Sequence, residues 1–214
     1  MREFDIIQQY LVPLTRALPG ADNLCDDGAT LSVPPGYALV VTTDSLHAGT
    51  HFIGDEDPGD IARKALRVNL SDLAAMGADP LSYQLGLSLP EGATGIDAAW
   101  LKAFTDALAA EQEQFHITLS GGDLTSCQGP LSITITAMGL VPEGKGVPRH
   151  GARDGDHVVL TGPVGDAAAG LAALRHGLAI DHESAASLIA QYRVPVVNTA
   201  IAPALREYAH AAID

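Results

Sequence analysis

The sequence predicts an α/β chain, on two observations. Apolar or alternating runs of strand length recur at Tyr37–Val41, Tyr83–Leu89 and Leu131–Val141. Between them lie longer segments, 58–76 and 97–114, whose apolar residues return every three or four positions, as on a helix. Strand–helix–strand order of this kind builds a sheet covered by helices rather than a bundle or a sandwich.

The elements follow in order. Phe4, Ile7, Leu11 and Leu14 have helical spacing within 3–17. A loop rich in Gly, Asp and Asn follows, Gly20 to Gly28. Tyr37–Val41 reads as a buried strand that ends in Thr42-Thr43-Asp44. Asp57 before Pro58 is a start signal, and the helix it opens runs to about Met76, where Gly77 stops it. Tyr83–Leu89 is a strand, and Asp97–Gln114 is a helix with Trp100, Phe104 and Leu108 on one face. His116–Leu119 is a strand ending at Ser120-Gly121-Gly122-Asp123, and Leu131–Val141 is another. The Gly- and Pro-rich stretch 142–155 marks a boundary, which divides the chain into domains 1–148 and 149–214. Beyond it, Asp156–Thr161 reads as a strand, Gly162–Gly165 as a turn, and 166–175, 183–192 and 197–210 as helices.

Charge and cysteine content exclude several classes. Lys and Arg total 12 against 26 Asp and Glu, a net charge of −14, which repels nucleic acid and anionic membranes. Cys25 and Cys127 form neither a disulfide framework nor a metal spacing. The first residues have no long apolar core behind Arg2, so a signal peptide is not expected, and no apolar run approaches the roughly 20 residues that span a bilayer. A cytoplasmic protein with no nucleic-acid or membrane partner is expected.

Four acidic groups sit at strand ends or in glycine loops. Asp26-Asp27-Gly28 fits both a tight turn and a cation loop. Thr42-Thr43-Asp44 gathers hard oxygen donors of the kind Mg2+ prefers, and equally fits an Asx-type turn. Ala65, Asn69, Asp72 and Met76 share one helical face, where a carboxylate is costly unless paired; alternatively Asp72 caps a second short helix. Gly121-Gly122-Asp123 lets a phosphate approach the backbone, or is a turn. Converging carboxylates repel, and divalent cations resolve that repulsion. His47 and His51 have a zinc-like spacing, but Gly49 between them favours a loop. Gly162-Pro163-Val164-Gly165 matches neither nucleotide-binding pattern and reads as a strand-to-helix turn.

These residues resemble the thiamine-monophosphate kinases of the aminoimidazole-ribonucleotide-synthetase-like superfamily. The likeness rests on Asp26-Asp27-Gly28-Ala29, Thr42-Thr43-Asp44, Ala48-Gly49-Thr50-His51-Phe52, the run from Lys64 to Ala78, Gly121-Gly122-Asp123-Leu124-Thr125 and Gly162-Pro163-Val164-Gly165-Asp166. It implies an α/β fold with a mixed sheet. The N-terminal domain, 1–148, would bind ATP and Mg2+ and dimerise, and 149–214 would begin the C-terminal domain. The reaction implied is ATP-dependent phosphorylation of thiamine monophosphate, with several Mg2+ ions and a homodimeric enzyme. The resemblance makes Asp27, Thr42, Thr43, Asp44, Asp72, Asp123 and Asp214 metal ligands. It sets His51 on the thiamine phosphate, and Gly122, Asp123 and Arg149 on the ATP phosphates. Phe115 stands where family members often carry a tyrosine. Ala211-Ala212-Ile213-Asp214 begins a family motif that continues with an apolar residue and Ser-Asp-Gly, so a longer parent protein is expected. Two other readings stay open: a purine-biosynthetic or selenophosphate synthetase of the same superfamily, and a non-catalytic nucleotide-binding fragment.

Overall fold

A computed structural model of the protein describes residues 2–16, 18–92, 95–177 and 179–214. The chain opens on a short helix, α1 (Glu3–Ile6), which passes into a π-helical turn at Ile7–Leu11 and a 3-10 turn at Val12–Thr15. The apolar spacing read as one helix is therefore three short pieces, and Pro13 supplies the break, because it lacks the N–H that an α-helix needs. Ile6, Tyr10, Leu11 and Leu14 turn into the core, whereas Phe4 of the expected apolar face is 75% exposed and Ile7 only half-buried.

Four strands form one mixed sheet: β1 (Tyr37–His47), β2 (Asp79–Pro90), β3 (Thr118–Cys127) and β4 (Ser132–Pro142), in the order β1-β4-β2-β3. β4 runs antiparallel to both β1 and β2, while β2 and β3 are parallel. That parallel pair is joined by α3 (Ala98–Phe115), a crossover that parallel strands require. Helix α2 (Pro58–Ala75) lies beside α3 on the same face, and both press Leu66, Leu70, Leu73, Phe104 and Leu108 onto Leu85, Leu87, Ile133 and Ile135. Asp57 caps α2 by accepting from the N–H groups of Gly59 (2.8 Å) and Asp60 (3.3 Å).

Two strands are longer than their apolar runs. β1 continues through Thr42-Thr43-Asp44 to His47, held by β4 along its whole length. β3 continues through Gly121-Gly122-Asp123 after a bulge at Ser120, where the β2 register skips one residue. Glycines within a strand mark such bulges and close approaches as readily as they mark loops. Asp72 belongs to the unbroken α2 and caps no second helix.

After Pro142 the chain carries α4 (Asp166–His176), α5 (His182–Arg193) and α6 (Ala202–Tyr208). The strand expected at 156–161 does not form. Among the described residues no strand pairs with it, and Val158, Val159 and Leu160 are 94, 78 and 69% exposed. The helix expected at 197–210 shortens to a 3-10 turn and α6. The C-terminal segment is tied to α2: Arg206 donates to the Gly77 carbonyl (2.5 Å), and the Val147 N–H donates to the Met76 carbonyl (3.1 Å).

Arg67 on α2 and Glu111 on α3 form a two-pronged ion pair at 2.7 and 2.9 Å, with side chains only 15 and 3% exposed. Arg67 also donates to the Pro195 carbonyl (3.2 Å) and lies over the Phe115 ring. Glu111→Gln leaves a buried guanidinium without its counter-charge. A loss of about 3 kcal/mol is expected in thermal or denaturant unfolding, and no change in midpoint would contradict the pair's role.

Candidate functional site

β1 alternates its side chains across the sheet, so Thr42-Thr43-Asp44 cannot act from one side. Thr42 and Asp44 turn toward α2, and Thr43 turns to the opposite face, where its hydroxyl meets that of Thr136 at 2.7 Å. Two acidic groups result, one on each face of the same sheet.

The first lies between β1 and α2. The Thr42 hydroxyl donates to the Asp72 carboxylate at 2.5 Å. The Asp44 N–H donates to the side-chain oxygen of Asn69 (3.1 Å), whose amide nitrogen in turn donates to the Ala65 carbonyl (3.0 Å). Asn69 is fully buried and fixes the strand to the helix at this point. The last residues run back past Pro148, whose carbonyl accepts from the Ala212 N–H (3.2 Å), and bring Asp214 against Asp72. Burial raises the Asp72 carboxyl above the usual carboxylate range, against the Thr42 hydrogen bond, and the nearby Asp214 and Asp44 add to the rise. Three carboxylates and a hydroxyl thus crowd one edge of α2.

The second group lines a cleft of about 460 Å³ on the other face. Asp26, Asp27 and Gly28 form one wall, Gly121, Gly122 and Asp123 another, and Gln84, Thr134 and Thr136 the floor. Gly122 has φ +154°, and a Cβ there would stand 1.9 Å from the Leu85 carbonyl oxygen. The backbone is therefore pressed against β2 and presents no side chain to the cleft.

Among the described residues no three His, Cys, Asp or Glu side chains close around a common point as a complete metal cage. The donors present are carboxylates and hydroxyls, the hard oxygens that suit Mg2+, which takes one or two carboxylates and completes its shell with water and substrate phosphate. The site fits such an ion in that partial manner.

His51 stands on the exposed loop after β1, bridged there by Ala48 and Phe52. Its Nδ1 accepts from the His47 N–H (3.0 Å), so the neutral ring carries its proton on Nε2. Lys64 donates to the His51 carbonyl (2.8 Å) and sits 3.7 Å over the Tyr192 ring. Burial lowers the Lys64 ammonium to about 8, opposed by the charge of Glu56. With lysine carrying 13C at Cε, one of the chain's three lysine signals is expected to titrate near pH 8; all three in the ordinary lysine range would contradict this placement.

Arg149 is exposed beyond Val147 and does not line the cleft. Phe115, buried at the end of α3, does not line it either. Sequence reasoning passed over Gln84, Thr134 and Thr136. The alternation of Thr with Ile along β4 was their signal: the isoleucines are buried and the threonines face the cleft.

Residues 25–141 match the family described as AIR synthase related protein, N-terminal domain. The thiamine-monophosphate kinase of Salmonella typhimurium is 44% identical over 214 residues, 99% of this chain and 64% of that protein. The crystal structure of thiamine-monophosphate kinase from Stenotrophomonas maltophilia superposes with a TM-score of 0.78 at 39% identity, over 88% of this chain and 59% of that one. The structure of AaThiL complexed with AMPPCP and TMP superposes with a TM-score of 0.75 at 27% identity, over 99% of this chain and 66% of that one. The chain thus spans somewhat under two thirds of the length of the Salmonella relative.

Proposed function

We propose, from the premise that this chain belongs to the AIR synthase related protein family, that the protein acts as a kinase, moving the γ-phosphoryl group of ATP onto thiamine monophosphate. Its mixed sheet with α2 and α3 on one face is the N-terminal domain of that family. The observation that carries the reading is the crowding of Asp44, Asp72 and Asp214 beside Thr42, with Asp27 and Asp123 flanking a glycine-walled cleft across the sheet. The names of the relatives and the ligands of AaThiL support it.

The acceptor is a phosphate oxygen, largely ionised near neutral pH because its second pKa is about 6. No general base is needed. The obstacle is charge: two unit charges 4 Å apart repel by roughly 4 kcal/mol at an effective dielectric near 20. Asp27, Thr42, Thr43, Asp44, Asp72, Asp123 and Asp214 would hold Mg2+, directly or through water, and bound Mg2+ supplies the positive charge that offsets this repulsion. Gly122 opens the backbone to a phosphate, and Arg149, which lies outside the cleft, would meet the ATP phosphates by its likeness to the kinases alone. His51 offers an Nε2–H donor to the acceptor phosphate. Catalysis then rests on positioning two anions in line.

On the outer sheet face Tyr37, Leu39 and Val41 are 44, 39 and 55% exposed. A second copy covering them gives the homodimer. No helix among the described residues is long and apolar enough to cross a membrane, and the cytoplasm is the assigned compartment.

The test is formation of thiamine diphosphate from ATP and thiamine monophosphate, followed by chromatography, using the whole protein. Consumption of a purine intermediate or of selenide in place of thiamine monophosphate would move the assignment elsewhere in the superfamily. ATP binding with no transfer would leave a nucleotide-binding protein.

A further inference from the structure

The loop that carries His51 is held from several sides. Phe52 anchors it, only 2% exposed. The N–H groups of Ile53 and Gly54 donate to the buried Glu56 carboxylate at 2.7 and 2.6 Å. The Gly49 N–H donates to the Phe52 carbonyl at 2.7 Å. The His51 carbonyl takes its partners from outside the loop. It accepts from Lys64 of α2 at 2.8 Å, and the Tyr192 hydroxyl of α5 lies 3.4 Å from the same oxygen. The Lys64 ammonium in turn sits over the Tyr192 ring at 3.7 Å, a cation–π geometry. Three segments distant in sequence thus meet at one backbone oxygen. Phe52 belongs to the main apolar cluster, whereas Lys64 is partly exposed and Tyr192, 7% exposed, packs outside that cluster.

Lys64 and Asp72 lie eight residues apart on α2, about 12 Å along its axis. The loop and the carboxylate group therefore border the same helix.

We propose that Lys64 and Tyr192 are positioning residues that clasp the His51 loop onto α2, so that the imidazole meets the acceptor phosphate at a set place and α5 becomes part of acceptor recognition. This rests on the reading of His51 as the acceptor contact. Lys64 touches neither phosphate; it acts through the backbone of His51. Its ammonium and the Glu56 carboxylate hold opposite polar groups of one short loop, which fixes the direction of the ring that Nδ1 has already fixed in tautomer.

The experiment uses the whole protein with Lys64→Met, Lys64→Arg and Tyr192→Leu. Backbone hydrogen exchange at 48–54 and steady-state kinetics are read for each. Lys64→Met and Tyr192→Leu are expected to speed exchange in the loop and to raise the KM for thiamine monophosphate about tenfold, the scale of one charge-assisted hydrogen bond. The KM for ATP and kcat stay within about twofold, and Lys64→Arg restores much of the loss because it keeps a charged donor over the ring. A merely structural role would change both KM values and kcat together, or none. Unchanged exchange and unchanged KM in both neutral variants would overturn the clasp. Faster exchange with unchanged KM would also overturn it as an element of recognition. If the unsubstituted protein does not use thiamine monophosphate at all, the functional reading fails, and the exchange data still decide whether the clasp holds the loop.

Discussion

Asp72→Asn is expected to slow phosphoryl transfer by at least about a thousandfold, roughly 4 kcal/mol of barrier, while the folded protein stays as stable or becomes more so. The two halves of that expectation come from the same crowding. Burial, then the charges of Asp214 and Asp44, hold the Asp72 carboxyl above the usual range, so the folded protein keeps its proton to higher pH than the unfolded chain does. Stability from this group is therefore greatest in acid and is lost as pH rises through the folded-state value. At neutral pH the charge is a liability, and the amide removes it. Asn also retains an oxygen that accepts from the Thr42 hydroxyl, so the link between β1 and α2 survives. With Mg2+ and nucleotide present the balance reverses, because a ligand that binds only the folded state stabilises it. Thermal midpoints with and without Mg2+ and ATP check both halves. An unligated variant less stable than the parent, or one that still turns over at near-parental rate, contradicts the assignment.

Gly122→Ala is expected to cost about 4 kcal/mol, combining overpacking with backbone strain. The added Cβ would stand 1.9 Å from the Leu85 carbonyl oxygen, and the nearest atoms are all backbone, so no side chain can swing aside. The φ of +154° adds a conformation that L residues seldom adopt. β3 must move off β2 one residue before Asp123, which lines the cleft, so nucleotide binding should fall with stability. For a chain of this size the midpoint should drop by about 8–16 °C. Gly121→Ala is the control. A Cβ there meets nothing nearer than the Gln84 side chain at 3.6 Å, and a far smaller drop is expected. Equal effects at the two positions would contradict the close approach at Gly122.

The helices α2 and α3 were the most legible part of the sequence. α2 and α3 carry an Asp cap each, and α2 has a terminating Gly77. The sheet was legible only where the strands are apolar. Thr42-Thr43-Asp44 and Gly121-Gly122-Asp123 read as strand ends because polar and glycine residues ordinarily stop strands. Both lie inside strands, because pairing with β4 and β2 overrides local preference. That error also hid the division of the site, since residues in a strand alternate between faces and residues in a loop need not. The run at 156–161 has strand composition, yet pairing is a property of neighbours, and none among the described residues supplies it. The Lys64–Tyr192 contact joins residues 128 positions apart, and nothing in their local patterns marks it.

A spectroscopic measurement on Mn2+, taken as a stand-in for Mg2+, bears most directly on the central claim. In the whole protein with AMPPCP and thiamine monophosphate, electron paramagnetic resonance should report bound Mn2+ coupled to 31P, and Asp72→Asn should weaken that binding and the coupling together. Mn2+ that binds equally well in the variant, or that shows no phosphorus coupling in the parent protein, would mean that Asp72 and its neighbours do not hold an ion against phosphate.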